Sequence, residues 1–155
     1  MTNEILFYSR GTDFGWLSNF ERSQQVVDGE KYPTNEHFYQ SRKANTDAMQ
    51  RWIASAPTPY SAMLAGRCLR KKDIVEDWDN IKFDVMLTGL RAKFTDNGPL
   101  RIKLIETGDA ILHENSSSDM IWGIKGKDML GKLLMQIREE MKLLPKYVEE
   151  IHDGE

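Results

Sequence analysis

Glu36, Gln40 and Lys43 stand at a four- then three-residue spacing in the segment Tyr32-Pro33-Thr34-Asn35-Glu36-His37-Phe38-Tyr39-Gln40-Ser41-Arg42-Lys43. On a helix that spacing lines an acid, an amide and a base along one face, directly behind a turn. A carboxylate so placed can stabilise a developing positive charge or activate water. A lysine in line with it can hold the carboxylate ionised or bind phosphate. His37 points roughly 100° away from the stripe and does not belong to it. Spacing alone leaves an ordinary alternative open, because a glutamate in a first helical turn is favoured by the helix dipole and Lys43 would then face solvent.

A second candidate is Asp119-Met120-Ile121-Trp122-Gly123. Tryptophan can stack on a flat base and aspartate can hold a sugar hydroxyl or an amine, which suits a nucleotide-like ligand. A core Trp with a turn-forming Asp fits the same residues. Gly126-Lys127-Asp128-Met129-Leu130-Gly131-Lys132 has the spacing of a phosphate loop, but Leu133 follows where a magnesium-binding Ser or Thr is needed. That excludes a nucleotide triphosphatase and leaves a weaker expectation of a diphosphate held before a helix N-terminus. His37, His113 and His152 lack metal-ligand spacing, Cys68 has no activating histidine, and Ser9 and Ser18 sit in no nucleophile elbow. Arg67, Arg70, Lys71 and Lys72 form a basic run that a solvated helix end explains, although it keeps a phosphate backbone open as a partner. Trp16, Trp52 and Trp78 are expected to pack.

These residues need elements to carry them. Ile5–Ser9 and Ala110–Glu114 have the short apolar character of strands, and Gln25–Val27 and Glu30–Tyr32 flank an Asp28-Gly29 hairpin turn. Thr34 or Asn35 can cap a helix whose pattern continues through Trp52 and Ile53 until Pro57 and Pro59 break it. Further helices are expected over Ser61–Arg70 and over Asp79–Phe94, with Ile81, Val85, Leu87, Leu90 and Phe94 near one face. Asn97-Gly98-Pro99 ends the latter, and Leu100–Glu106 follows as a short helix. Leu130, Leu133, Leu134, Ile137 and Met141 mark an amphipathic last helix.

With 155 residues, 40% of them hydrophobic, the chain can bury a core without disulfide staples, and disorder is expected only in the last few residues. The pattern predicts one compact α+β domain over residues 1–155, mostly helical with a small β-sheet and a core spanning about 5–144. A net charge of −3 speaks against a dedicated nucleic-acid coat, so phosphate recognition has to be local. One cysteine, no membrane-length apolar run and no leader-like start predict a cytoplasmic protein.

Taken together, Phe7-Tyr8-Ser9, Leu17-Ser18-Asn19-Phe20, Tyr32 to His37 with Gln40 and Lys43, Leu90 to Phe94, Asp119 with Trp122-Gly123, and Leu130-Gly131 to Arg138 resemble the YbiA-like N-glycosidases of the NADAR superfamily. The likeness runs from about Ile5 to Glu140, in order. It implies hydrolysis of a bond between a ribose anomeric carbon and nitrogen, without metal or other cofactor. The substrate it implies is a phosphoribosylamino-pyrimidine intermediate of riboflavin synthesis, or ADP-ribose carried on guanine in DNA. It further implies that Glu36 and Trp122 are catalytic and that Ser18, Asn19, Gln40, Lys43, Asp119, Gly123 and Gly131 line the substrate pocket. A non-catalytic ADP-ribose or NAD binding module is the alternative. The loop from Trp122 to Gly131 is shorter than the pattern and carries Asp128, whose charge is expected to repel a nearby phosphate.

Overall fold

A computed structural model of the chain describes residues 3–9 and 11–144. The expectation about the last few residues falls outside them. The sheet is built in two pieces. β1 (Glu4–Phe7) pairs in parallel with β4 (Ile111–Glu114), and β2 (Gln25–Val27) pairs antiparallel with β3 (Glu30–Tyr32). In the β2–β3 hairpin both turn residues take positive φ, 51° at Asp28 and 81° at Gly29, as the Asp-Gly pair predicts. Around the strands lie α1 (Asn35–Lys43), α2 (Asp47–Ala54), α3 (Pro59–Arg67), α4 (Trp78–Asp96), α5 (Gly98–Glu106) and α6 (Met129–Lys142). The architecture is α+β with a helical majority among the described residues.

Three expectations need correction. The long helix expected from Thr34 or Asn35 to Ile53 is two helices, because Ala44 is extended and bridges Ile74, and the Thr46 side chain then caps α2 by accepting from the Met49 amide. Neither Gly nor Pro marks this break, and a threonine that competes for a cap is the signal that reveals it. The buried face of α4 contains Met86, Gly89, Leu90, Lys93 and Phe94, whereas Ile81 is exposed. Trp52, expected to pack, is 63% exposed. The last helix behaves as its periodicity predicts, with Leu130, Leu133, Leu134, Ile137 and Met141 all buried.

The main core joins Phe7 and Leu112 of the parallel pair to Met86, Leu90 and Phe94 of α4 and to the apolar stripe of α6. The backbone at Gly131 lies so close to the Leu112 carbonyl of β4 that a Cβ there would collide with it. Only glycine lets α6 approach β4 this closely.

The interior also buries polar groups. Lys93 is fully buried in α4, and its Nζ donates to the carbonyls of Trp16 (2.8 Å) and Ser18 (2.9 Å). This pins the loop that carries Ser18 and Asn19. Burial lowers its pKa to about 7, partly offset by the Glu21 charge. A neutral amine has two N–H donors for two carbonyls, which suits the arrangement. Between pH 7 and 10.5 the unfolded chain therefore holds this proton and the native chain does not, so Lys93 makes stability rise across that window. Urea unfolding of wild type and Lys93→Met at both ends of the window is expected to show wild type gaining on the variant as pH rises. A constant difference would mean that Lys93 enters the native state with its proton.

Candidate active site

Both strands of the parallel pair end at one cleft of about 950 Å³. Tyr8 and Ser9 follow β1, Glu114 closes β4, and Ser116, Ser118, Asp119 and Trp122 come from the loop after it. Carboxyl ends of parallel strands are the usual place for a ligand, since the chain turns away there and leaves a crevice. Ser18, Asn19 and Phe20 form another side, Glu36, Tyr39, Gln40 and Lys43 of α1 a third, and Met63, Arg67, Trp78, Lys82 and Met86 complete the lining.

α1 presents its stripe because its start is locked from several directions. The Thr34 hydroxyl accepts from the His37 amide, and the Glu36 amide donates to the Asn19 carbonyl at 3.1 Å. The Asn35 side chain donates to Asn19 Oδ1 (2.9 Å) and accepts from Gln25 Nε2 (3.0 Å), which also donates to the Gly89 carbonyl (3.1 Å). His37 faces elsewhere, with its ring between the Thr34 hydroxyl and the Ala56 carbonyl. Glu36 is 7% exposed and accepts from Gln40 Nε2 at 2.9 Å. Desolvation pushes its pKa up to about 7, with the Gln40 bond and the Arg67 charge opposing and the Asp119 charge adding to the rise. Glu36 and Gln40 therefore form a buried wall of the cleft and not a solvated face, with Lys43 half-buried after them.

Lys43 also lines the cleft, but the cation that acts on Glu36 is Arg67. Burial lowers the Lys43 pKa, and the neighbouring positive charges of Arg67 and Lys82 lower it further while Asp79 opposes. Arg67 is the exposed last residue of α3, the expected solvated helix end, and it also lines the cleft, while Arg70 spends its charge on Asp73 at 3.3 Å. Neither Lys43 nor Arg67 forms an ion pair among the described residues. Trp78, expected only to pack, lines the cleft as well.

An aromatic wall runs through Tyr39. Its ring meets Trp78 at 5.2 Å between centroids and meets Trp122 edge-to-face at 5.6 Å, and Phe83 lies 5.4 Å from Trp122. Asp119 holds the Trp122 segment in place, because Oδ1 accepts from the amides of Ile121 (3.0 Å) and Trp122 (2.9 Å). One Asp119 oxygen is thus committed to the loop. Asn19 is committed too, with its amide nitrogen against Met86 Sδ at 3.5 Å and its oxygen on Asn35, so it positions more than it presents. The Ser18 hydroxyl accepts from the Phe20 amide at 3.1 Å.

Gly123 and Gly131 do not line the cleft. Gly131 is where α6 meets β4, and a Cβ at Gly123 would press on the Asp119 carbonyl and the Ser116 side chain. Both glycines serve close packing behind the wall. Lys127, Asp128 and Lys132 also lie outside the lining, so the expected diphosphate site before α6 does not open on this cleft, and Asp128, paired with His113, acts there through the charge it places near Glu114. Among the described residues no group of three or more His, Cys, Asp or Glu is placed to hold a metal ion. No helix among them is long and apolar enough to cross a membrane.

Sequence reasoning missed Glu114, taken only as the end of a strand. It lies in the cleft, and burial with the charges of Asp119, Glu36 and Asp128 raises its pKa to about 7. The usable signal was a carboxylate at the C-terminal end of a strand followed by a polar loop.

The NADAR domain family model matches residues 6–142. N-glycosidase YbiA of Escherichia coli is 38% identical over 143 residues, covering 90% of this chain and 89% of the relative. The NMR structure of the E. coli protein YbiA is 37% identical and superposes with a TM-score of 0.84 over 92% of this chain and 88% of that one. A riboflavin biosynthesis protein of Vibrio vulnificus is 34% identical over 146 residues, which are 40% of its length. The chain belongs to the NADAR domain family. N-glycosidase is the activity named for the relatives that it matches over nearly their whole length.

A buried acid with a raised pKa costs stability at neutral pH. Native Glu36 holds its proton up to about pH 7 and the unfolded residue only to 4.5, so its stabilising share is full below pH 4.5 and is lost as pH rises through 7. Glu36→Gln has no such loss. Thermal melts are expected to show the variant gaining on wild type across that window, by on the order of 5 °C at pH 8. Parallel melting curves at acid and neutral pH would show that Glu36 is not desolvated.

Proposed function

We propose that the protein hydrolyses the C1′–N bond of a phosphorylated ribosyl substrate, with Glu36 as the essential carboxylate and no metal in the reaction. The observation that carries this reading is the position of Glu36, a buried carboxyl held by Gln40 and aimed into a nucleotide-sized cleft with an aromatic wall. Cleaving a ribosyl–nitrogen bond builds positive charge on the sugar ring, so a carboxylate there stabilises the transition state more than the ground state. The same group can take a proton from the attacking water. Trp122 and its neighbours offer π-faces to a flat base or to the cationic sugar. The names of the relatives agree with this chemistry.

Lys43 and Arg67, without carboxylate partners, supply charge for phosphate, and Lys82 adds to that side while bonded to Asp79 at 3.1 Å. A cleft of about 950 Å³ accommodates a free nucleotide whole, and an ADP-ribosyl group on a base exposes the same bond and the same phosphate chemistry. A substrate panel read by mass spectrometry separates these two, with a phosphoribosylamino-pyrimidine in one arm and ADP-ribosyl-guanine DNA in the other. Release of ribose 5-phosphate or of unmodified DNA identifies the bond. Glu36→Gln is expected to bind substrate but lose about 100-fold or more in kcat. A fully active variant, or intact ligand after long incubation with wild type, would sink the reading, and the second result would leave a binding module for ADP-ribose or NAD.

Arg67→Ala tests the phosphate side separately. It is expected to raise KM for the phosphorylated substrate by about 10-fold more than for the dephosphorylated analogue, while any loss of kcat through Glu36, whose ionised form Arg67 favours, falls on both alike.

A further inference from the structure

Removing a base from a ribose leaves a second task that Glu36 cannot perform. The leaving nitrogen departs with the bonding electron pair, and an amine or amide nitrogen leaves slowly unless a proton reaches it. The cleft contains two further carboxyls: Asp119, whose Oδ1 is committed to the Ile121 and Trp122 amides, and Glu114, on a different element and in a different electrostatic setting. Main-chain bonds fix its position. The Phe7 carbonyl on the paired strand accepts from the Asn115 amide at 2.7 Å, and the Glu114 carbonyl accepts from the Ile124 amide at 2.9 Å. Its Oε2 is shut off from solvent and has no hydrogen-bond partner among the described residues. An isolated buried carboxylate oxygen is costly, whereas the neutral, protonated carboxyl is far less so.

We infer that Glu114 is the general acid of the reaction, donating its proton to the leaving nitrogen while ionised Glu36 works on the sugar and the water. The inference rests on the N-glycosidase reading above. The two carboxyls divide the roles because their surroundings differ. Glu36 accepts a hydrogen bond from Gln40 and feels the positive charge of Arg67, and both favour its ionised form. Glu114 accepts no such bond, and the charges that act on it are all negative: Asp119 from the loop after β4, Glu36 from α1 and Asp128 at the start of α6. His113, the adjacent residue, is bonded to Asp128 and does not relieve it. When the pair shares one proton, the proton belongs on Glu114.

The step balances without a co-reactant. The C1′–N bond breaks with its electron pair going to nitrogen, and the Glu114 proton passes to that nitrogen. Water oxygen bonds to C1′ and gives its proton to the Glu36 carboxylate. The products are a free hydroxyl at C1′ and a neutral N–H base. Exchange with solvent then returns the proton to Glu114 and strips it from Glu36.

The test compares wild type and Glu114→Gln on two phosphoribosyl substrates. In the phosphoribosylamino-pyrimidine the leaving nitrogen needs a proton, whereas in nicotinamide mononucleotide a pyridinium leaves as neutral base without one. For the first, the variant is expected to lose about 100-fold or more in kcat at unchanged Kd, and to lose the fall in rate that wild type shows as pH rises through the Glu114 titration. For the second, any turnover is expected to be equal in the two proteins. If wild type cleaves the amine substrate and Glu114→Gln keeps its rate and its alkaline limb, the inference fails and the N-glycosidase reading stands. If wild type cleaves neither substrate and no ADP-ribosylated base, both fall. A carbon-13 NMR titration of glutamate-labelled wild type needs no variant to fold. Glu114 protonated at neutral pH supports the assignment, and titration at the ordinary carboxylate value overturns it.

Discussion

The side chain of Asn35 is the point on which the site depends. It is fully buried, and a buried primary amide must find partners at both ends or cost about 1–3 kcal/mol for each end left bare. Its nitrogen donates to Asn19 and its oxygen accepts from Gln25, which continues to the Gly89 carbonyl. One amide thus ties the first turn of α1 to the loop before the hairpin, to strand β2 and to α4. Glu36 is the next residue, and its amide closes on the Asn19 carbonyl. The acid is placed by this lattice before any substrate arrives.

The same economy of buried polar groups recurs around the cleft. Lys93 ties the Trp16 and Ser18 carbonyls from within α4, Asp119 gives one carboxylate oxygen to the loop that presents Trp122, and Gln40 gives its amide nitrogen to Glu36. Each removes a freedom from a side chain or loop that faces the ligand. Preorganised dipoles and charges are effective in catalysis because they need not reorganise when charge develops in the transition state. The cost is visible in the groups left strained by burial. Glu36, Glu114 and Lys93 all have pKa values moved to about 7 by desolvation. The site is held against its own preference for water by the packing of α4 and α6 on the parallel pair.

The cleft carries groups of both signs. Its lining holds the carboxyls of Glu36, Glu114 and Asp119 together with the cations Lys43, Arg67 and Lys82. A net charge of −3 conceals this pattern, since local fields and not the sum act on a ligand inside a low-dielectric crevice. The Asp128 that stands in the shortened loop is drawn into a pair with His113, outside the lining.

Periodicity and turn chemistry in the sequence determine the hairpin at Asp28-Gly29, the cap at Thr34, and the apolar stripe of α6, because each depends on residues only a few positions apart. They also line up Glu36, Gln40 and Lys43. Local spacing does not reveal that Trp52 faces solvent, or that Arg67 comes to the cleft while Gly123 and Gly131 stay behind it. Those outcomes follow from contacts between segments far apart in the chain. Above all, whether Glu36 is a solvated residue in a helix dipole or a desolvated acid is decided by what covers it. Asn19 is tied beside it by the Asn35 side chain, and the parallel pairing of β1 with β4 brings Glu114 and the loop of Trp122 to the same cleft.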